Sequence, residues 1–168
     1  MADQYTRRNY GALFGTPAMR QEIFPAVDAA GVGVALGAAG NSPAYSAWVD
    51  VALPALITVE NLIVGFTIDT PSATLIATVD IGITLSLGVI YANAAAVIAA
   101  GAAAIAGAHR AIARVQYLIV GAAGYTTMPF IYLLVPVQVP VGVGILARWQ
   151  TAAGAETGNI TVMCVQNI

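Results

Sequence analysis

A chain of 168 residues, 59% apolar and only 8% charged, can bury a sizeable core but carries far less charge than the roughly 25% of an average soluble domain. Its formal charge of -2, with six Arg, no Lys and eight acids, is too near neutral for a free-standing nucleic-acid binder. A lone Cys, Cys164, and a lone His, His109, exclude an internal disulfide framework and a Cys/His zinc site, so no metal or cofactor is expected.

Residues 1–28 read as an extended N-terminal arm. They hold Arg7, Arg8 and Arg20, with Pro17 and Pro25, and their apolar residues follow no sustained period. The candidate partner contacts in this arm are Arg7, Arg8, Tyr10, Phe14, Arg20 and Phe24: aromatic anchors, and guanidinium forks suited to an acidic protein surface. No secretory signal is expected, because Gly11 to Ala18 is too short and broken to be its apolar region.

Residues 29–168 read as one β domain. Strands are predicted at Gly31–Gly37, Tyr45–Leu53, Ile57–Asp69, Thr74–Leu87, Val115–Val120, Thr126–Val135, Val141–Gln150 and Ile160–Asn167, separated by Gly-, Pro- and Asn-bearing turns. The clearest is the fourth. Leu75, Ala77, Val79, Ile81, Ile83, Leu85 and Leu87 alternate with Thr74, Thr78, Asp80, Gly82, Thr84 and Ser86, and Ile76 is the one apolar intruder. That period of two marks a strand with one buried face. In the seventh strand Val141, Val143, Ile145, Ala147 and Trp149 make the corresponding face. About eight strands with turn signals between them define an all-β sandwich or jelly roll.

An Ala-rich insertion interrupts the pattern at 92–108, where 11 of 17 residues are Ala. Propensity makes this a short helix or an irregular crossover, or else a small-residue tract that packs closely against another surface. Two charge-free runs, Ile81–Ala108 and Val115–Ala147, are long enough to span a membrane as helices. The second contains Pro129, Pro136 and Pro140, and the first begins inside an alternating strand, so no membrane partner is expected.

Chemistry is sparse. Asp69 and Asp80 flank a strand pair and read as solvent-facing carboxylates; Asp50 shares a face with Trp48, and Glu60 lies on a neighbouring strand. His109 has no surrounding nucleophile motif, and Gly31-Val-Gly33 and Gly142-Val-Gly144 lack the third Gly and helix of a dinucleotide loop. No catalysis is expected. Tyr45, Trp48 and Trp149 could form a platform for a sugar ring, the carbohydrate-binding alternative, though aromatics on strands more often serve a core or interface.

Three segments, Tyr45-Ser-Ala-Trp-Val-Asp-Val, Asn61-Leu-Ile-Val-Gly-Phe-Thr-Ile and Ala77-Thr-Val-Asp-Ile-Gly, resemble early strands of small jelly-roll proteins of tailed phages. The stretch from Val135 to Gln150 resembles their Pro- and Gly-bearing turn into a strand ending in Ala-Arg. The resemblance covers Gly31 to Ile168 in separated patches, and the Ala-rich insertion departs from it. It is to capsid decoration, or cement, proteins. What it implies is a homotrimeric jelly roll on the virion's capsid exterior, bound to the major capsid protein, with a terminal arm holding neighbouring coat subunits. A tail or head-fibre module of a virion is the alternative within the same fold.

Overall fold

The computed structural model describes residues 19–26, 33–56, 58–68, 73–86, 88–100, 111–119, 131–152, 154 and 156–167. The chain is an all-β sandwich, as the alternating segments require. One sheet has the order β1 (Met19–Phe24), β12 (Thr157–Asn167), β5 (Thr58–Ile68), β10 (Ile131–Pro140), with β2 (Val34–Ala38) also on β12. The other has the order β3 (Gly40–Asn41), β11 (Ile145–Thr151), β6 (Leu75–Ile83), β9 (Ala113–Ile119), with β4 (Val49–Ala52) also on β11. A short hairpin of β7 (Leu85–Ser86) and β8 (Val89–Ile90) leads into the helix α1 (Ala94–Ala99).

Each predicted strand has a counterpart, shifted at its ends. Tyr45 to Trp48 form a loop before β4, and Val141 sits in the β10–β11 turn, more than half exposed, instead of joining the buried face of β11. Gly142, with φ +84°, supplies the left-handed residue that this turn requires. The prolines of β10 are tolerated because it ends its sheet. Its pairing with β5 is irregular between Leu134 and Val139, where Pro136 needs no ladder donor.

The core lies between the sheets. Leu62, Val64 and Phe66 of β5 and Val162 and Cys164 of β12 face Val79 and Ile81 of β6, Tyr117 of β9, and Ala147 and Trp149 of β11. Phe66 bridges the layers, its ring centroid 5.0 Å from that of Trp149 in an edge-on contact and 5.4 Å from that of Tyr117. The polar ends of these aromatics are satisfied: Tyr117 Oη donates to the Val64 carbonyl at 3.1 Å and Trp149 Nε1 to that of Gly37 at 3.3 Å. Gly158 lies under this trio, and a Cβ there would come within 2.8 Å of the Trp149 ring and 2.9 Å of Phe66. Only glycine fits.

The predicted arm contains part of the sheet. Met19–Phe24 pair antiparallel with Phe24↔Val162 through Met19↔Asn167, Phe24 packs against the core, and Glu22 Oε2 accepts from the Ala55 amide at 2.8 Å. Sequence hid this strand because it has one clear core residue and polar neighbours; the ladder it completes belongs to β12. Deleting residues through Ala26 is therefore expected to lower the melting temperature well below that of a chain lacking only 1–18. Thermal unfolding followed by circular dichroism reads the difference.

Burial pushes the Cys164 thiol up from its ordinary 9.0 to about 12, with the nearby Glu22 carboxylate adding to the shift. A group whose folded pKa is raised stabilises the fold below its unfolded value and loses that contribution as pH rises through the folded one. Stability is thus expected to fall between pH 9 and pH 12. Urea midpoints across that range should fall less steeply in Cys164→Val; an identical slope would sink the assignment.

Candidate functional site

Three charged side chains meet on the outer face of the second sheet. Arg148, Asp80 and Arg114 occupy directly paired positions on β11, β6 and β9, so the ladder lines them up in one row. Arg114 Nε and Nη2 donate to the two Asp80 carboxylate oxygens at 2.6 and 3.0 Å, and Arg148 Nε and Nη2 share Oδ2 at 3.3 and 3.1 Å. Asp80 is fully buried and the Arg148 side chain nearly so, whereas the Arg114 side chain is 47% exposed. The expected solvent-facing Asp80 is thus corrected. Both faces of β6 are buried from Ala77 to Ile83, because β6 lies between two strands whose arginines close over it.

The loop before β4 covers this row. The Arg148 guanidinium carbon lies 4.3 Å from the Tyr45 ring centroid and 4.5 Å from that of Trp48, and Arg114 lies 5.3 Å from Tyr45. Backbone bonds hold the loop to β11: Ser46 N donates to the Trp149 carbonyl and Ser42 N to that of Thr151, each at 2.9 Å. The Asp80 bond raises the pKa of Arg114, and burial followed by the Asp80 charge raises that of Tyr45, so Arg114 stays charged and the phenol neutral. These rings stack on arginine, and Trp149 is in the core. Tyr45, Trp48 and Trp149, the aromatics of the carbohydrate-binding alternative, therefore do not share one exposed face.

A second feature is apolar. The register Ala52↔Ile145↔Ile83 sets three strand ends side by side, so the segment after β4, the segment after β6 and the β10–β11 turn meet at one end of the sandwich. Thr84 joins them: its amide donates to Gly144 O at 3.0 Å, its Oγ1 accepts from Gly144 N at 2.7 Å, and its carbonyl accepts from Tyr91 N at 2.9 Å. At this end Leu53, Val89, Ile90, Ile98 and Val141 are each 47–60% exposed. They are five of the eight large apolar side chains exposed among the described residues. No charged residue occurs in 53–56, 84–100 or 141–144, and the exposed Asn93 spends its amide oxygen on the Ala96 N–H, capping α1.

Helix α1 is the described part of the Ala-rich tract. Ala94 and Val97 pack on Leu146 with Trp48 and Tyr91, and Asp50 Oδ1 accepts from the Ala94 amide at 3.0 Å, which leaves Ile98 facing outward. Beside it a shallow cleft of about 300 Å³ is lined by Phe24, Asp50–Leu53, Ala92 and Asn93.

Of the predicted partner contacts, Phe24 lines this cleft, and Arg20 pairs with Gln166 in the β1–β12 ladder. Arg7, Arg8, Tyr10 and Phe14 lie outside the described residues, as do Asp69 and His109. The sequence reading missed both the charge row and the apolar end. Asp80, Arg114 and Arg148 each occupy the polar parity of an alternating strand, but only strand order and register bring them together. The apolar end was signalled in part by the two charge-free runs, which are long enough to span a membrane but read as strands and an Ala-rich crossover.

Among the described residues no group of three or more His, Cys, Asp and Glu side chains is placed to hold a metal ion, and no helix is long and apolar enough to cross a membrane. No protein-family model matches the chain, and neither does any curated protein or solved structure.

The charge row makes a sharp stability prediction. Removing the Asp80 charge leaves buried Arg148 without a counter-ion, so Asp80→Asn should cost about 3–5 kcal/mol. Arg114→Gln removes a half-exposed partner and should cost about 1 kcal/mol or less. Urea denaturation of both variants measures the gap; equal costs would mean that Arg148 does not depend on Asp80.

Proposed function

We propose that this protein is a structural virion component that decorates and cements a phage capsid, binding coat-protein surfaces as an oligomer on the capsid exterior. The observation that carries the reading is the charge-free apolar end. Large exposed apolar patches mark sites of protein or membrane contact. Burying the exposed halves of five such side chains is worth on the order of 5 kcal/mol, at about 1 kcal/mol each. That alone is weak binding. Repeated through the subunits of a homotrimer, it gains by avidity without any new contact.

The strand path supports the jelly-roll form of the sandwich. From β4 to β12 the chain crosses between sheets at nearly every step, giving the paths β2-β12-β5-β10 and β4-β11-β6-β9. A tail or head-fibre module would use the same fold and the same kind of surface. The carbohydrate-binding alternative is weakened by the burial of Trp149 and by the Arg148 guanidinium that packs against Tyr45 and Trp48.

Mixing the purified chain with undecorated capsids and counting bound copies per particle tests the proposal. Saturable binding is expected, reduced at least about tenfold in affinity when Leu53→Asp and Val141→Asp are combined, since each buries an unpaired charge. An intact chain that fails to bind any phage capsid, with its fold verified, would remove the capsid reading.

A further inference from the structure

We infer that α1 is a hinged cover on the outside of the second sheet, pinned at its first turn and able to swing away at its last, so that Trp48 and Leu146 are bared while the sandwich stays folded. Such a hinge operates whether or not the chain decorates a capsid.

The main core lies between the sheets, and α1 takes no part in it. The buried side chains of α1 are Ala94 and Val97, which join Leu146 in a separate small cluster flanked by Trp48 and Tyr91. A helix of six residues is far too short to persist without such packing. Its polar ties are one-sided. Asp50 Oδ1 accepts from Ala94 N and Asn93 Oδ1 from Ala96 N, both in the first turn. The last turn carries no basic side chain, and Ile98, Ala99 and Ala100 are exposed. The seat is also imperfect. Trp48 Nε1 is buried with no hydrogen-bond partner, whereas Trp149 Nε1 donates to the Gly37 carbonyl. An unpaired buried donor costs free energy in the closed state, and water removes that cost on opening.

Of the groups packed around Trp48, α1 is the one that can leave. Arg148, 4.5 Å from the Trp48 ring centroid, is held by Asp80, and Leu146 sits in β11 between its partners Gly82 and Asp50. Moving either of these breaks the sheet. Moving the last turn of α1 breaks two backbone bonds, Val97 N to Asn93 O at 3.2 Å and Ala100 N to Ala96 O at 3.1 Å. The closed and open states therefore present different surfaces. Closed, the chain shows Ile98; open, it shows Leu146 and the Trp48 N–H beside the Arg148 guanidinium.

Hydrogen exchange of the full chain, followed by NMR, tests the hinge. The Val97 and Ala100 amides are expected to be at least about a hundredfold less protected than those of β6 and β11, with the Ala94 amide, tied to Asp50, between them. The Trp48 indole proton should exchange with the last turn of α1, and the Trp149 indole proton with the sheets. Trp48→Phe assigns the two signals, and through-space contacts to Val97 assign them if that variant misfolds. Val97→Asp then holds the cover open, because its charge cannot be seated in the closed cluster. It should abolish protection at residues 97–100 and at the Trp48 indole, and shift the urea midpoint no further than Ile81→Val, a mild truncation in the main core. A Trp48 indole proton as protected as that of Trp149 overturns the inference. So does a Val97→Asp chain that unfolds, that loses more stability than Ile81→Val, or that keeps the last turn of α1 protected.

Discussion

Asp80 carries the electrostatics of the second sheet. Its carboxylate is fully buried, receives two guanidiniums, and lies at the middle of the row that joins β11, β6 and β9. A buried carboxylate is tolerable only when its oxygens are occupied, and here each accepts from at least one arginine. With the charge in place, Arg148 can pack against Tyr45 and Trp48, and the loop before β4 has something to rest on. Trp48 in turn packs with Leu146, Ala94 and Val97, which seats α1. The chain of contacts therefore runs from one ion pair to the apolar end of the sandwich.

That dependence explains a distribution of charge that composition alone leaves puzzling. A chain with eight acids and six arginines has few charges to spend on solubility. Three are used inside the fold to fix strand register, where a shift by one residue would turn Asp80 into the apolar core. Glu22 and Asp50 are spent on backbone amides at the 53–56 segment and at the start of α1. What remains at the end formed by the three segments is apolar side chain and small residue. The carboxylates nearest to it, Glu22 and Asp50, each accept a backbone amide that helps to hold its elements together.

Much of the sandwich was legible because it rests on local pattern. The alternation from Leu75 to Leu87 identifies the core face of β6, and Ala77, Val79, Ile81 and Ile83 are buried as it requires. The same alternation misleads about the other face, since period two says which residues share a side and not what covers it. Asp80 reads as solvent-facing until β9 and β11 are placed beside it. Tyr45 and Trp48 were visible as aromatics, but their stacking on Arg148 joins residues a hundred positions apart. Met19–Phe24 offered too few apolar residues to announce a strand, and gains its order from the ladder of β12. In the Ala-rich tract, propensity foretold a short helix, and Asn93 marks its start as a capping residue should.

Binding through such an end depends on how much order is already present. Association costs the freedom of whatever must be fixed at the contact, and loops held in their bound form reduce that cost. Here the apolar side chains stand on short elements tied from behind by polar groups. Thr84 clamps the β10–β11 turn to the segment after β6, Asn93 and Asp50 hold the first turn of α1, and Glu22 holds Ala55. Every one of these bonds is internal to the chain, so none must break when the outer surface is covered. The polar groups set the shape and the apolar groups supply the driving force. A contact built this way gains little from charge and is expected to be insensitive to salt, in contrast to one steered by exposed ion pairs, which weakens as ionic strength rises.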